Sequence, residues 1–336
     1  MMNPILVEVT RAGHVECVHR GAVHVVDDTG QTLLSIGDVS KLVYPRSAIK
    51  IMQALPLVEA GAADKLQLNN KQLSLICSSH GGEVLHTEMA QSILQRVGLS
   101  LADLECGAHA PSFRPAADEL VKHSELPSAL HNNCSGKHSG MLAFAQHAGF
   151  DTNGYSQLDH PVQQAVASAM SELTEFDLST APCGKDGCSL PTWAAPLTAW
   201  ALAFAKISRG KGLGARRSQA FAKLRNAVMA EPFYVAGSGR YCTHIMSEMQ
   251  TPIFVKTGAE GVFCAALPEH GIGIALKCDD GATRGSQMML TATLQQLGIL
   301  PAKDAEILAK LAQITLTNAN GFEVAEIIPA EFWNFN

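Results

Sequence analysis

Three short stretches place chemically capable side chains at telling spacings. The first is Ser47-Ala-Ile-Lys50. On a helix, a serine and a lysine three residues apart share one face, a turn apart. If the amine is desolvated its pKa falls and it can take the serine proton, making Ser47 a nucleophile without any histidine. Background composition gives about one chance S-x-x-K in a chain this size. A second copy, Ser208-Arg-Gly-Lys211, lies in a basic, Gly-rich segment that reads as a solvated loop. The plainer reading of Ser47 is a helix N-cap, with Lys50 on the exposed face. The second stretch, Ser78-Ser79-His80-Gly81-Gly82-Glu83, follows a strand-like or buried apolar run, LSLIC. Small residues opening a helix present N–H groups and hydroxyls to a ligand; alternatively Ser79 merely caps the helix containing Glu83. The third is HNNCSGKHSGM (131–141), with Cys134, Lys137 and His138 in five positions. A phosphate loop is excluded, because Walker A needs Gly where His131 sits and Ser or Thr where His138 sits. Together with Cys183-Gly-Lys-Asp-Gly-Cys188, this stretch offers thiolates for Zn²⁺, with His138 or Cys183 completing a tetrahedron. Neither loop carries C-x2-C, so buried structural cysteines account for the spacing equally well.

A fourth motif changes the weight of the first. Lys256-Thr257-Gly258 ends a predicted strand, PIFVKTG. An early S-x-x-K on a helix and a late K-T-G on a strand form the pairing found in serine β-lactamases and penicillin-binding proteins. The order of elements is the same here: strands, helix, helical insertion, K-T-G strand, further strands and a helix. In those enzymes a second serine between the lysines relays protons, a place Ser79 can take.

These residues need a scaffold, and its outline is readable. Residues 15–38 alternate apolar and polar side chains around a turn at Asp28-Thr29-Gly30, predicting strands and hairpins. From Pro45 the pattern turns helical, with a break or kink at Pro56. Helical spacing recurs over 83–98, 135–149, 160–176 and 218–231, several of these segments ending in Gly. Three antiparallel strands are predicted within 251–281, followed by a helix over 286–298. The expected fold class is α+β, an antiparallel sheet from both chain ends packed on helices. Residues 1–65 and 231–336 form the sheet part in this reading, and 66–230 a mainly helical insertion, as one structural unit.

Composition narrows the partners. The 336 residues carry 47% hydrophobic and 17% charged side chains, enough apolar surface for a large core and against disorder. A net charge of −6 argues against nucleic acid or an anionic membrane as the main partner. The opening MMNPILVEVTRAG lacks a basic n-region and an apolar h-region, and no apolar run approaches membrane-spanning length. The cytoplasm is therefore the expected compartment, where nine cysteines read as buried hydrophobes and ligands rather than disulfides.

Taken together, YPRSAIKIMQA, SSHGGE, HNNCSGKHSGML and CGKDGCSLPT resemble the L-asparaginase II family, the rhizobial-type (class 3) asparaginases. The resemblance implies a penicillin-recognition, serine β-lactamase-like fold and a homodimer. It implies hydrolysis of L-asparagine, with Ser47 as nucleophile, Lys50 as its base, and Ser79 with Lys256 as a second Ser–Lys pair. It implies Cys134, Lys137 and Cys188 as ligands of one Zn²⁺, in place of the His138 and Cys183 that spacing favours. Arg46, His80, Gly81, His138 and Asp186 then contact or orient substrate. The alternatives are a β-lactamase or D-Ala peptidase using the same Ser–Lys logic, and a non-catalytic, zinc-stabilised binding module.

Overall fold

The computed structural model describes residues 2–333. The chain divides into two compact units. One comprises Met1–Ala48, Ala195–Ser208 and Glu248–Asn336, and the other Ile49–Ala194 and Arg209–Ser247.

The first unit is built on an eight-stranded antiparallel sheet. Its strands are β1 (Ile5–Arg11), β2 (His14–Asp27), β3 (Thr32–Ile36), β4 (Phe254–Thr257), β5 (Val262–Leu267), β6 (Ile272–Cys278), β7 (Ile314–Thr317) and β8 (Glu323–Pro329). The order is β7-β8-β1-β2-β6-β5-β4, with β3 also pairing β2. The expectation of a sheet drawn from both chain ends is met directly, with Val7 opposite Pro329 and Val9 opposite Ile327. The long strand β2 pairs β1 with its first half and β6 and β3 with its second. It changes partners at Gly21, where a Cβ would meet Lys277 O at 2.4 Å. The turn after β2 is the expected one, with Asp27 Oδ1 accepting Thr29 N at 2.8 Å and Gly30 at φ 86°.

Two helices cover this sheet. In Thr283–Leu297, Met288, Met289, Leu290 and Leu294 are at most 1% exposed. Fully burying a side chain of this size contributes about 1.5–3 kcal/mol. Leu197–Arg209 crosses β6 so closely that a Cβ at Gly273 would lie 2.1 Å from Ala205 N. This segment, 195–208, belongs to the sheet unit, although the sequence reading placed it within the 66–230 insertion. Ser208, expected in a solvated loop, is buried in the last turn of that helix and donates to Ala205 O at 2.6 Å.

The second unit is helical. The expected boundary at 65/66 falls at 48/49, inside the S-x-x-K motif, so Ser47 belongs to the sheet unit and Lys50 to the helical one. A 3-10 turn, Arg46–Ile49, runs into α1 (Lys50–Gln53), and a further short helix, Leu55–Glu59, carries Pro56 at its start, where proline is tolerated. The unit continues with α2 (Asn70–Ile76), α3 (Val84–Arg96), α4 (Ser135–Ala148) and α5 (Pro161–Thr174). LSLIC lies mostly within α2, a helix and not a strand. Its N-terminus is a capping box in which Asn69 and Gln72 each bond the other's backbone. A two-stranded hairpin, Cys183–Lys185 with Pro191–Trp193, completes what the site needs. No helix among the described residues is long and apolar enough to cross a membrane.

Candidate active site

Each unit contributes expected site residues, and each set can be described by itself. In the sheet unit Ser47 is half-buried within the Arg46–Ile49 turn. The residue before it, Arg46, holds φ 52°, a left-handed conformation that costs a non-glycine residue about 1–2 kcal/mol. The K-T-G strand end packs on this turn. A Cβ at Gly258 would come within 2.6 Å of Pro45 O and 3.3 Å of Ala48 N, so glycine permits the approach. Lys256 is 1% exposed, and its Nζ donates to Thr257 O at 2.9 Å.

In the helical unit Lys50 is fully buried, contrary to the exposed-face alternative. Its Nζ donates to Ser79 Oγ at 3.0 Å, to Asn133 O at 3.3 Å and, by a very short contact, to Ser78 O. Burial lowers its pKa, and the charge of Lys137 adds to that. Ser79 does not cap α3, whose N-cap is Glu83; its N–H donates instead to Val235 O. Gly81 O accepts Phe113 N at 3.0 Å. His80 is engaged through both ring nitrogens. Nδ1 accepts Gly82 N at 3.1 Å, which leaves Nε2 to donate to Ser135 Oγ at 2.9 Å. That bond ties the Ser79 segment to the start of α4.

The HNNCSGKHSGM stretch is helical from Ser135, with Cys134 at the N-cap. Two glycines explain how α4 lies where it does. At Gly136 a Cβ would meet Leu75 O at 2.3 Å, and at Gly140 it would meet Ile76 Cγ2 at 2.6 Å. Their spacing of four presents one smooth stripe to α2. Asn132 holds the approach, accepting Cys134 N and donating to Cys106 O.

The residues expected to bind zinc come together here. Lys137 Nζ donates to Cys188 Sγ at 3.2 Å, and Cys134 Sγ donates to Asn133 Oδ1 at 3.2 Å. The neighbouring Cys134 thiol and the lysine charges lower the pKa of Cys188, while Cys188 and burial raise that of Cys134. Burial works to lower Lys137, but the two sulfurs and Asp186 outweigh it and raise its pKa. The arrangement gathers two sulfurs and an amine in one buried place. It fits a zinc ion, since two soft sulfurs and a nitrogen are buried together, with displaceable protons on Cys134 and Lys137. Cys183, the ligand favoured by spacing, is exposed in the hairpin. Asp186 lies in the hairpin turn, half-buried, accepting Ser189 N through its backbone O. His138 is fully buried; burial and the Lys137 charge lower it to about 3, so its ring is neutral.

The sheet unit holds another grouping that sequence spacing did not reveal. His19, Cys278 and Asp280 offer three donor atoms within 4.8 Å of one another, a set that could hold a metal ion. Also missed were Asn133, Glu105 and Tyr155. The first had a signal in the paired asparagines before Cys134; the other two had none.

A profile of the L-asparaginase II family matches residues 7–329. The chain belongs to that family. Membership points to a hydrolase of the asparaginase type. No curated protein matches the sequence. Among solved structures, a β-lactamase (Mb2281c) from Mycobacterium bovis is similar at 13% identity, covering 87% of this chain and 94% of its own, with a TM-score of 0.38. The D-alanine carboxypeptidase AmpC from Burkholderia cenocepacia is similar at 12% identity, 87% and 92% coverage and a TM-score of 0.39. A β-lactamase from Sphaerobacter thermophilus is similar at 13% identity, 84% and 93% coverage and a TM-score of 0.44.

Proposed function

We propose that the protein is an L-asparaginase, converting L-asparagine and water to L-aspartate and ammonia by a covalent serine–lysine route. The observation that carries the reading is Lys50. A buried amine with a lowered pKa, bonded to the Ser79 hydroxyl at 3.0 Å, is suited to accept and return protons in a family of this activity.

In this reading neutral Lys50 takes the proton of Ser47 Oγ as the oxygen attacks the side-chain amide carbon. The C–N bond of the tetrahedral intermediate then breaks. Its nitrogen receives a proton through Ser79 and Lys256 and leaves as ammonia, giving a β-aspartyl ester on Ser47. Water attacks that ester, and its proton passes through Ser79 and Lys256 to Lys50. As the bond between the acyl carbon and Ser47 Oγ breaks, Lys50 returns the proton to Oγ and aspartate leaves. Backbone N–H groups beside Ser47 stabilise each oxyanion, typically by about 3 kcal/mol per donor. Cys134, Lys137 and Cys188 would hold Zn²⁺, which when bound would supply positive charge to orient the substrate's α-amino or α-carboxylate group. Arg46, His138 and Asp186 orient substrate, whereas His80 and Gly81 act by holding the Ser79 segment. The reading includes a cytoplasmic homodimer, checked by sedimentation.

Ammonia release from asparagine tests the function, with glutamine and a chromogenic cephalosporin alongside. Hydrolysis of asparagine, abolished in Ser47→Ala, is the expected result. Turnover of the cephalosporin alone would transfer the site to the β-lactamase reading, and near-normal turnover in Ser47→Ala would remove Ser47 as nucleophile.

A further inference from the structure

One ring nitrogen of His138, the residue after Lys137, has no hydrogen-bond partner among the described residues. His138 Nδ1 lies 2.6 Å from Tyr155 Oη, whereas the buried Nε2 has no hydrogen-bond partner among the described residues. A buried polar atom left in this way is costly unless a ligand meets it.

The proton on that ring can be placed from the hydrogen bonds around it. Glu105 N donates to Tyr155 Oη at 2.9 Å, occupying one lone pair of the phenol. The phenol's single proton then goes to His138 Nδ1, which leaves Nε2 as the N–H of the neutral ring. The reverse arrangement would leave both the phenol proton and the Nε2 lone pair unused, so it is the poorer one.

Tyr155 is itself held from several sides. It is fully buried, and Gln163 Nε2 donates to its backbone O at 2.8 Å. The Glu105 carboxylate accepts Gly154 N at 2.6 Å and Ser156 N at 3.1 Å, clamping the turn that carries the phenol. The phenol has little freedom to choose another partner.

We propose that Tyr155 is a positioning residue: it fixes His138 as the Nε2–H tautomer, so that Nε2 donates a hydrogen bond to an oxygen of the bound substrate. The identity of that oxygen, on the α-carboxylate or the side-chain amide of asparagine, rests on the asparaginase reading; the tautomer does not.

The test uses the zinc-loaded protein with ¹⁵N-labelled histidine. Long-range ¹H–¹⁵N spectra report which nitrogen carries the proton, and wild type should show Nε2–H for His138. In Tyr155→Phe the preference should be lost, and KM for asparagine should rise about ten-fold or more with a smaller change in kcat. In a His138→Gln background, where the amide N–H donates without any tautomer, Tyr155→Phe should leave KM unchanged. An Nδ1–H ring in wild type overturns the proposal, and so does an equal KM effect in the two backgrounds. Loss of zinc from Tyr155→Phe also overturns it, by making Nε2 a ligand. The wild-type spectrum decides even where Tyr155→Phe does not fold. Failure of wild type to hydrolyse asparagine would sink the asparaginase reading, while the tautomer would still decide the role of Tyr155.

Discussion

Two clusters among the described residues combine sulfur and nitrogen donors, and they differ in what they leave unfinished. In the sheet unit, His19 Nε2 accepts Arg284 Nε at 3.0 Å, so Nδ1 carries the proton and meets Asp280 Oδ2 at 2.6 Å. Cys278 Sγ donates to the other carboxylate oxygen at 3.0 Å. The His19 Nδ1, Cys278 Sγ and Arg284 Nε protons each have an acceptor, and the guanidinium stands against a ligand-binding turn of the imidazole. Around Lys137 the opposite holds, with two buried sulfurs, the buried amines of Lys137 and Lys50, and a His138 Nε2 that has no partner among the described residues. Closed hydrogen-bond sets build structure. Open ones, buried at a cost the fold must offset elsewhere, mark chemistry.

The contrast makes its largest prediction at Lys50. Lys50→Met should lower asparagine turnover on the order of 10³-fold or more, the scale expected for losing a general base. His19→Ala should leave turnover near wild type, and steady-state kinetics on the two variants check both. Comparable losses would dissolve the distinction between the clusters. Metal content gives the next effect. Purified wild type should carry about one zinc per chain, as a three-ligand protein site does, Cys188→Ser should carry almost none, and His19→Ala should be unchanged. A second zinc that disappears with His19 would make the triad a metal site and defeat the argument from Arg284.

How much of this was legible depends on the range of the interaction. Local signals held: the Asp28-Thr29-Gly30 turn, the strands around K-T-G, and a helix starting after Cys134 are all written within a few residues. LSLIC misled because a short apolar run fits a strand or a helix, although the Asn69…Gln72 capping pair was there to decide it. The bond from Lys50 to Ser79 spans 29 positions, so no periodicity could show that this serine is the hydroxyl Lys50 holds. Tyr155 escaped for the same reason, being an unremarkable aromatic until the turn at 154–156 folds against Glu105. Gly136 and Gly140 were visible, but their use as a smooth stripe appears only once α2 supplies the opposing surface.

Those glycines extend the comparison to stability. Gly136→Ala sets a Cβ against Leu75 O at 2.3 Å, a backbone atom that cannot turn aside. It should destabilise by about 1–3 kcal/mol and also lower zinc content, since α4 carries Lys137. Gly285→Ala meets Cys278 Sγ at 2.7 Å and His19 Cγ at 2.9 Å, side-chain atoms rather than backbone. Its cost should be smaller, with zinc unaffected. Chemical denaturation and metal analysis on both variants check this; zinc loss only in Gly285→Ala would reverse the assignment of the two regions.

The smallest effect lies at Asp280, where the closed cluster should reveal itself through pH. Burial would raise this carboxyl, but hydrogen bonds from Cys278, Ala282 N and His19 outweigh it and lower the pKa to about 2. A carboxylate held below its unfolded value of about 3.8 adds stability above that pH, and the contribution disappears as the pH falls toward 2. The side chain is 46% exposed, so solvent screening limits the contribution to about 1 kcal/mol or less. Asp280→Asn should therefore lower the melting temperature slightly at pH 6, and the difference from wild type should vanish near pH 2. A difference that persists at low pH would mean that shape, not charge, joins Asp280 to its neighbours. In that case the cluster would owe its closure to packing around Gly285 rather than to the proton count on which its contrast with the Lys137 site depends.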